Sequence, residues 1–142
     1  MRNHVSFVAE FPKTRGDDGS PPGLELATWL STALGQQGLD TSDRDETDYS
    51  CTIAISHAKH TFNAMLGLVD DVHPREWLFF VESRLGRVRR LFGQSDDQEL
   101  SQVLAAVHEA LVQDPRIDHV RWYQSDEWNT SPEADWSPTP AP

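Results

Sequence analysis

The sequence CTIAISHAKHTFNAMLGL, residues 51–68, carries the clearest signal of the fold class. Apolar residues occupy every second position on both sides of its centre, which is the pattern of two half-buried β-strands. The connection between the two patterns, His57-Ala58-Lys59-His60, is short enough for a hairpin. The sequence therefore predicts two antiparallel strands joined by a tight turn. The alternating apolar residues are Cys51, Ile53, Ile55, Phe62, Ala64, Leu66 and Leu68.

Further strands are predicted on either side of this hairpin. Residues 77–81, Trp-Leu-Phe-Phe-Val, are an uninterrupted apolar run, which is typical of a central strand covered on both faces or nearly so. Residues 4–11 alternate and stop at Pro12, because proline cannot donate to a strand ladder. Residues 117–123 predict a last strand. The acidic residues 40–48 predict a short edge strand or an exposed loop, since like charges this close together oppose burial.

Two stretches show the three- and four-residue spacing of an amphipathic helix. The first follows Ser20-Pro21, a pair that favours a helix start because the hydroxyl can cap a backbone N–H and proline has none to cap. The second follows Ser95, which forms a capping box with Gln98, and it ends at Asp114-Pro115. The apolar residues of the two stripes are Leu26, Trp29, Leu30, Ala33 and Leu34, then Leu100, Val103, Leu104, Val107, Ala110 and Leu111.

The predicted order of elements is β-α-β-β-β-α-β. We therefore expect an α+β fold, in which a mostly antiparallel sheet of five to six strands has two helices packed on one face. The length of 142 residues suits one such domain, which we assign to residues 1–124. From residue 125 on, prolines and acids replace any periodicity. Residues 125–142 are therefore predicted to be a disordered acidic tail that contains Pro and Trp.

The composition excludes several classes of protein. The chain has 12 Lys and Arg against 23 Asp and Glu, and its net charge of −11 argues against general nucleic-acid binding, which requires phosphate neutralisation. No apolar run approaches the ~20 residues of a membrane span, and no signal-peptide pattern follows Met1. The single cysteine, Cys51, excludes an intramolecular disulfide, and its place in a strand predicts a buried and unreactive thiol.

Several short motifs between residues 4 and 123 resemble those of a group of short bacterial proteins of unknown function. The acidic tail after residue 124 departs from the pattern of that group. The resemblance implies a bacterial, cytoplasmic protein, and it implies no activity, cofactor or catalytic residue. The motifs are Pro22-Gly23-Leu24-Glu25-Leu26-Ala27, Asp48-Tyr49, Leu66-Gly67-Leu68-Val69-Asp70-Asp71, Arg75-Glu76-Trp77 and Arg90-Leu91-Phe92-Gly93.

Acidic residues beside aromatic ones form one candidate for a binding site. Aromatic anchors rimmed by charge are typical of protein-binding surfaces, and negative charge speeds the encounter with a basic partner. A solvated acidic face with a solubilising tail would have the same composition. The predicted partner-binding residues are Asp43, Asp45, Glu46, Asp48, Tyr49 and Trp128.

A cluster of arginines before the second helix forms another candidate. Guanidinium groups suit phosphate or carboxylate ligands, and the start of a helix also favours anions. Alternatively, the arginines pair with acids of the same chain. Those acids are Asp96, Asp97, Glu99 and the acids of residues 40–48. The predicted anion-binding residues are Arg84, Arg87, Arg89 and Arg90.

Histidines and aspartates near two turns form the last candidate. His57 and His60 lie at the hairpin turn. Asp70, Asp71 and His73 lie at the far end of the second hairpin strand, on the order of 25 Å away. One metal ion could not join those ends. We therefore predict no metal ligand, no cofactor and no catalytic residue.

Together these patterns favour a small acidic cytoplasmic protein-binding module, of the immunity or adaptor type, that recognises a basic partner. The alternative is a small enzyme or ligand-binding protein, with an anion site at Arg84–Arg90 or a metal at the His and Asp turns. The sequence does not settle whether the chain is an enzyme, although the absence of a catalytic motif favours a binding protein. If one face of the sheet lacks a helix, a homodimer could bury that face.

Overall fold

The computed structural model describes residues 2–10, 24–42, 45–46, 50–70, 75–84, 91, 93, 95–130 and 136–140. Within these residues the chain forms seven strands and three helices. The strands are β1 (His4–Ala9), β2 (Asp40–Thr41), β3 (Asp45–Glu46), β4 (Ser50–His57), β5 (His60–Asp70), β6 (Glu76–Ser83) and β7 (Ile117–Tyr123). The helices are α1 (Leu24–Gln36), α2 (Asp97–Gln113) and α3 (Ser125–Thr130).

The strands belong to one open sheet in which every neighbouring pair is antiparallel. The order across the sheet is β2-β4-β5-β6-β1-β7, and β3 pairs with β4 on the same edge as β2, so the sheet has six positions. The first strand of the chain therefore lies inside the sheet, between β6 and β7. The predicted α+β fold with an antiparallel sheet is confirmed.

The central hairpin has the predicted strands and turn. β4 pairs with β5 along its whole length, ending with His57 opposite His60. Ala58 and Lys59 between them have φ angles of 50° and 67°. Positive φ at both central residues is the geometry of a type I′ turn, whose twist matches that of the flanking strands. This turn fixes the register that places the alternating apolar residues on one face, where Cys51 is buried as predicted.

The buried face of the sheet is built from apolar residues that lie directly opposite one another. Phe79 of β6 is paired with Val5 of β1 and with Leu66 of β5, and none of the three side chains is exposed. Helices α1 and α2 cover this face with their apolar stripes, so both predicted helices lie on one side of the sheet. The helix residues in the core are Leu26, Ala27, Leu30, Leu34, Leu100, Val103, Leu104, Val107, Ala110 and Leu111.

The two faces of β6 differ in how far they are covered. Trp77, Phe79 and Val81 are fully buried, whereas Leu78 and Phe80, which alternate with them, are only half-buried. The strand is therefore fully covered on one face and only partly covered on the other. An uninterrupted apolar run shows that both rows of side chains are apolar, but it does not show what lies over each row.

The structure describes residues 125–130 and 136–140 of the stretch after residue 124. Ser125–Thr130 form helix α3, and residues 136–140 lie beside β7. Trp128 of α3 packs edge-on against Tyr123, with the ring centroids 5.2 Å apart. Aromatic contacts of this kind offset the entropy that ordering a polar segment costs, and an average composition does not reveal them.

Candidate functional site

The predicted partner-binding residues do not form one patch in the part of the chain that the structure describes. Asp45 and Glu46 form β3 at one edge of the sheet, whereas Trp128 packs on Tyr123 of β7 at the opposite edge. Five inter-strand spacings separate these edges, a distance on the order of 24 Å. The acidic segment and the tail aromatic are therefore two separate features. Outside the described residues lie Asp43, Asp48 and Tyr49.

The predicted anion-binding arginines are described only at Arg84. This residue is exposed after the end of β6, and its backbone N–H donates to the Thr61 carbonyl oxygen at 3.2 Å. Asp96, an acid considered as its partner, is buried at the start of α2 and accepts a hydrogen bond from the Ser83 hydroxyl. Asp96 therefore ties the end of β6 to the start of α2. Outside the described residues lie Arg87, Arg89 and Arg90.

The turn histidines contact helix α2. The Nε2–H of His57 donates to Oε1 of Gln102 at 2.6 Å, and Nε2 of His60 lies 3.7 Å from Oε1 of Glu99. Among the described residues, no group of three or more His, Cys, Asp or Glu side chains could hold a metal ion. These histidines therefore join the hairpin to the helix. The same candidate also included Asp70, Asp71 and His73. Of these three, Asp71 and His73 lie outside the described residues.

The face of the sheet turned away from α1 and α2 presents a row of side chains along β6. Because side chains alternate along a strand, every second residue of β6 lies on this face. The row consists of an acid, two apolar residues and a second acid, from Glu76 to Glu82. Phe80 lies opposite His4 of β1 and Met65 of β5, so the apolar centre spans three strands. We call this surface the open face. Its residues are Glu76, Leu78, Phe80 and Glu82 of β6 and Met65 of β5, with the buried His4 and Ser6 of β1 at its margin.

His4 fixes one end of the open face. Its ring stacks on Phe80 with centroids 4.8 Å apart and planes 11° from parallel. Asn3 donates from Nδ2 to the Val81 carbonyl oxygen at 2.8 Å, which leaves its Oδ1 to accept from Nδ1–H of His4 at 2.9 Å. Burial lowers the pKa of His4 from its ordinary value, because removal from water disfavours the charged imidazolium.

This burial predicts a dependence of stability on pH. The unfolded chain binds a proton at His4 near pH 6.5, and the folded chain does so only at lower pH, so stability falls as pH drops below about 6.5. His4→Phe keeps a ring against Phe80 and removes the proton site. Between about pH 7.5 and pH 5.5 the variant should lose less free energy of unfolding than the wild type, measured by urea denaturation. If both proteins lose the same free energy of unfolding over this pH range, His4 is not the group responsible.

A polar cavity of about 200 Å³ adjoins the open face where β1 meets β7. The pairing of these strands is irregular between Ser6 and Val8, and His119 has a φ of 54° there. Such a bulge re-aims side chains, and bulges are frequent beside functional sites. The Glu76 carboxylate and the Arg121 guanidinium both line this cavity. The cavity therefore suits a ligand with hydrogen-bonding groups better than a simple anion. The polar lining residues are Ser6, Glu76, His119 and Arg121.

The outer edge of β7 is paired with the chain's own residues 136–140. The Trp122 N–H donates to the Ser137 carbonyl oxygen at 2.7 Å, and the Ser137 N–H donates to the Trp122 carbonyl oxygen at 2.8 Å. The guanidinium of Arg121 lies 5.1 Å from the ring centroid of Trp136. This doubly bonded pair occupies backbone groups that an edge strand otherwise offers to another chain.

A cavity of about 400 Å³ lies between this segment and helix α2. The indole N–H of Trp122 donates to Nδ1 of His108 at 3.1 Å. Because an indole can only donate, Nδ1 of His108 is the acceptor and the ring proton is on Nε2. We call the β7 edge at Trp122 together with this cavity the β7 groove. Its walls include Leu104, Ala105 and His108 of α2 and Thr139 and Pro140 of the segment.

Comparison of the chain with protein-family models, with curated proteins and with solved structures finds no match. None of the helices in the described ranges is both long and apolar enough to cross a membrane.

Proposed function

We propose that this chain is an acidic protein-binding module that takes a basic partner on the open face. The supporting observation is the row along β6, where the half-buried Leu78 and Phe80 lie between Glu76 and Glu82. A partner segment with apolar side chains flanked by Lys or Arg would cover the apolar centre and meet a carboxylate at each end. An apolar centre with a polar rim is the usual arrangement of a protein interface.

The charge of the whole chain supports a basic partner. A net charge of −11 attracts a basic protein during diffusional encounter and repels a second copy of the same chain. We therefore favour a basic partner over the homodimer. Asp45 and Glu46, at the edge of the sheet beside β4, contribute to this field without belonging to the open face.

We place the module in the cytoplasm of a bacterium, where a basic toxin or an assembly component would be the class of partner for an immunity or adaptor protein. A standard interface covers about 800 Å² of each partner, which is more than the β6 row provides. Further contacts are therefore needed, and the candidates are Asp43, Asp48, Tyr49 and Trp128.

A comparison of two matched variants tests this proposal. The first is E76Q/L78S/E82Q on the open face. The second is E25Q/E109Q/V112S, which makes equivalent changes at exposed helix positions. Each immobilised full chain is incubated with bacterial lysate, and a protein retained in stoichiometric amount is identified, purified and titrated against all forms. We expect a basic protein whose affinity falls at least tenfold for the first variant and stays unchanged for the second.

The same experiment contains the outcomes that contradict the proposal. Retention of one protein with equal affinity by both variants would place the binding site elsewhere. An association rate that does not change with salt would exclude steering by the acidic surface. A dimer of the wild type in light scattering, lost only in E76Q/L78S/E82Q, would replace the basic partner with a second copy of this chain.

A further inference from the structure

We propose that the β7 groove is a binding site for an extended, proline-containing peptide of a partner protein, and that residues 136–140 occupy it as an internal competitor. The groove lies at the outer edge of β7, and the proposal does not depend on the open face. Two contacts of residues 136–140 and the prolines of the segment define the chemistry of the peptide, and the cavity beside them indicates what the peptide would add.

The first contact is made by the backbone. Ser137 exchanges both of its backbone hydrogen bonds with Trp122, as a residue of an added strand does. Addition of a peptide to an exposed sheet edge is a common mode of recognition, in which main-chain hydrogen bonds supply affinity and side-chain pockets supply specificity. Ser137 is paired through an isolated bridge, so a partner strand of greater length could form more of these bonds.

The second contact is made by an aromatic ring. Trp136 lies over the guanidinium of Arg121, while 42% of its surface stays exposed. Attraction between a guanidinium and an aromatic face is favourable at such half-exposed sites. The residue before the bridging position of the peptide should therefore be aromatic.

The prolines of the segment add a further feature of the peptide. Pro138 and Pro140 alternate with Ser137 and Thr139 in this segment. Proline restricts its own φ and keeps the preceding residue extended, so a segment of this kind loses little entropy when it binds. The peptide therefore has the form aromatic, Ser or Thr, Pro, then a variable residue and Pro.

The cavity shows why a partner could displace the internal segment. About 400 Å³ remains open beside Thr139 and Pro140, against Leu104 and Ala105 of α2. The apolar walls of this half-open space face solvent, so covering them with an apolar side chain is favourable. A peptide with a larger apolar side chain at the position of Thr139 would fill this space, whereas the chain's own threonine leaves it open.

The test uses the full chain and the synthetic peptide Asp-Trp-Ser-Pro-Leu-Pro, labelled with a fluorophore. This peptide copies residues 135–140 with Leu in place of Thr139. Ser137→Pro removes the N–H that donates to Trp122, so the internal segment is released. Ser137→Ala keeps this N–H and serves as the matched control. Fluorescence anisotropy should show the peptide binding S137P at least tenfold more tightly than wild type or S137A.

Further variants make the outcome decisive. Trp136→Ala removes the ring that contacts Arg121 and leaves the backbone hydrogen bonds of Ser137 in place. The internal segment is then held less tightly, so this variant should also bind the peptide more tightly than wild type. Arg121→Ala combined with S137P should lose affinity at least fivefold, and a peptide that keeps the native Thr should bind more weakly than the Leu peptide. The proposal is overturned if S137P and W136A bind the peptide no more tightly than wild type, or if R121A/S137P binds it as tightly as S137P.

Discussion

Phe79→Ala is expected to remove most of the stability of this chain, with a loss of about 3–5 kcal/mol in the free energy of unfolding. Phe79 lies in β6 with Val5 on one side and Leu66 on the other, and none of the three is exposed. The substitution leaves a cavity that the paired backbones on either side prevent from closing. Because a domain is typically stable by only 5–15 kcal/mol, urea denaturation followed by tryptophan fluorescence should show a large shift.

Phe80→Ala is the control for this substitution, since it changes the next residue of the same strand. Phe80 points to the open face and is half-buried. Its loss should cost about 1–2 kcal/mol, because less apolar area is removed from cover and no closed cavity forms. Equal losses for the two variants would show that both faces of β6 are buried, and would remove the basis of the proposed partner surface.

Val107→Asp is expected to prevent stable folding, at a cost of at least about 3 kcal/mol. Val107 is fully buried on the stripe of α2 that packs on the sheet. A carboxylate there would have to be buried without a partner or be protonated, and both are costly. Circular dichroism and denaturation at neutral pH would measure the effect, and stability should recover partly as the pH falls, because protonation removes the charge.

Val112→Asp tests the orientation of the same helix. Val112 is 49% exposed and lies in the last turn of α2. A carboxylate near a helix C-terminus is unfavourable by a few tenths of a kcal/mol to about 1 kcal/mol. If V112D unfolds the chain as readily as V107D, the exposed side of α2 must be covered in solution.

The elements themselves could be predicted because the period of their apolar residues carries the signal. The six apolar residues that spacing assigns to the second helix are the six buried residues of α2. The hairpin is equally local, since its register follows from the turn between His57 and His60. In both cases the residues that interact are close in sequence.

The order of the strands could not be predicted in the same way. β1 pairs with β6 and β7, so that Val5 lies between Phe79 and Trp122. Consecutive strands are usually neighbours, and nothing within residues 4–11 identifies partners so distant in sequence. The contact of Trp136 with Arg121 could not be predicted either, because no periodic pattern links the two residues.

The candidate site was only partly accessible from the sequence. The acids of residues 40–48 stood out by composition, whereas Leu78 and Phe80 at the centre of the open face have the composition of ordinary core residues. A signal was nevertheless present in residues 76–82, where Glu76 and Glu82 share the alternation phase of Leu78 and Phe80. The bulge at His119 carries no comparable signal, since it arises from how β1 and β7 pair.

The interior place of β1 has a bearing on how the chain folds during translation. Its partners β6 and β7 are made much later, with β7 ending at Tyr123. At ~5–20 residues per second, the ribosome needs on the order of ten seconds between β1 and β7. Until β6 is made, Val5 and Phe7 have no strand to pair with, and the far side of β1 has no partner until β7 follows. Folding should therefore be limited by late, long-range closure, as the high contact order of such a sheet implies.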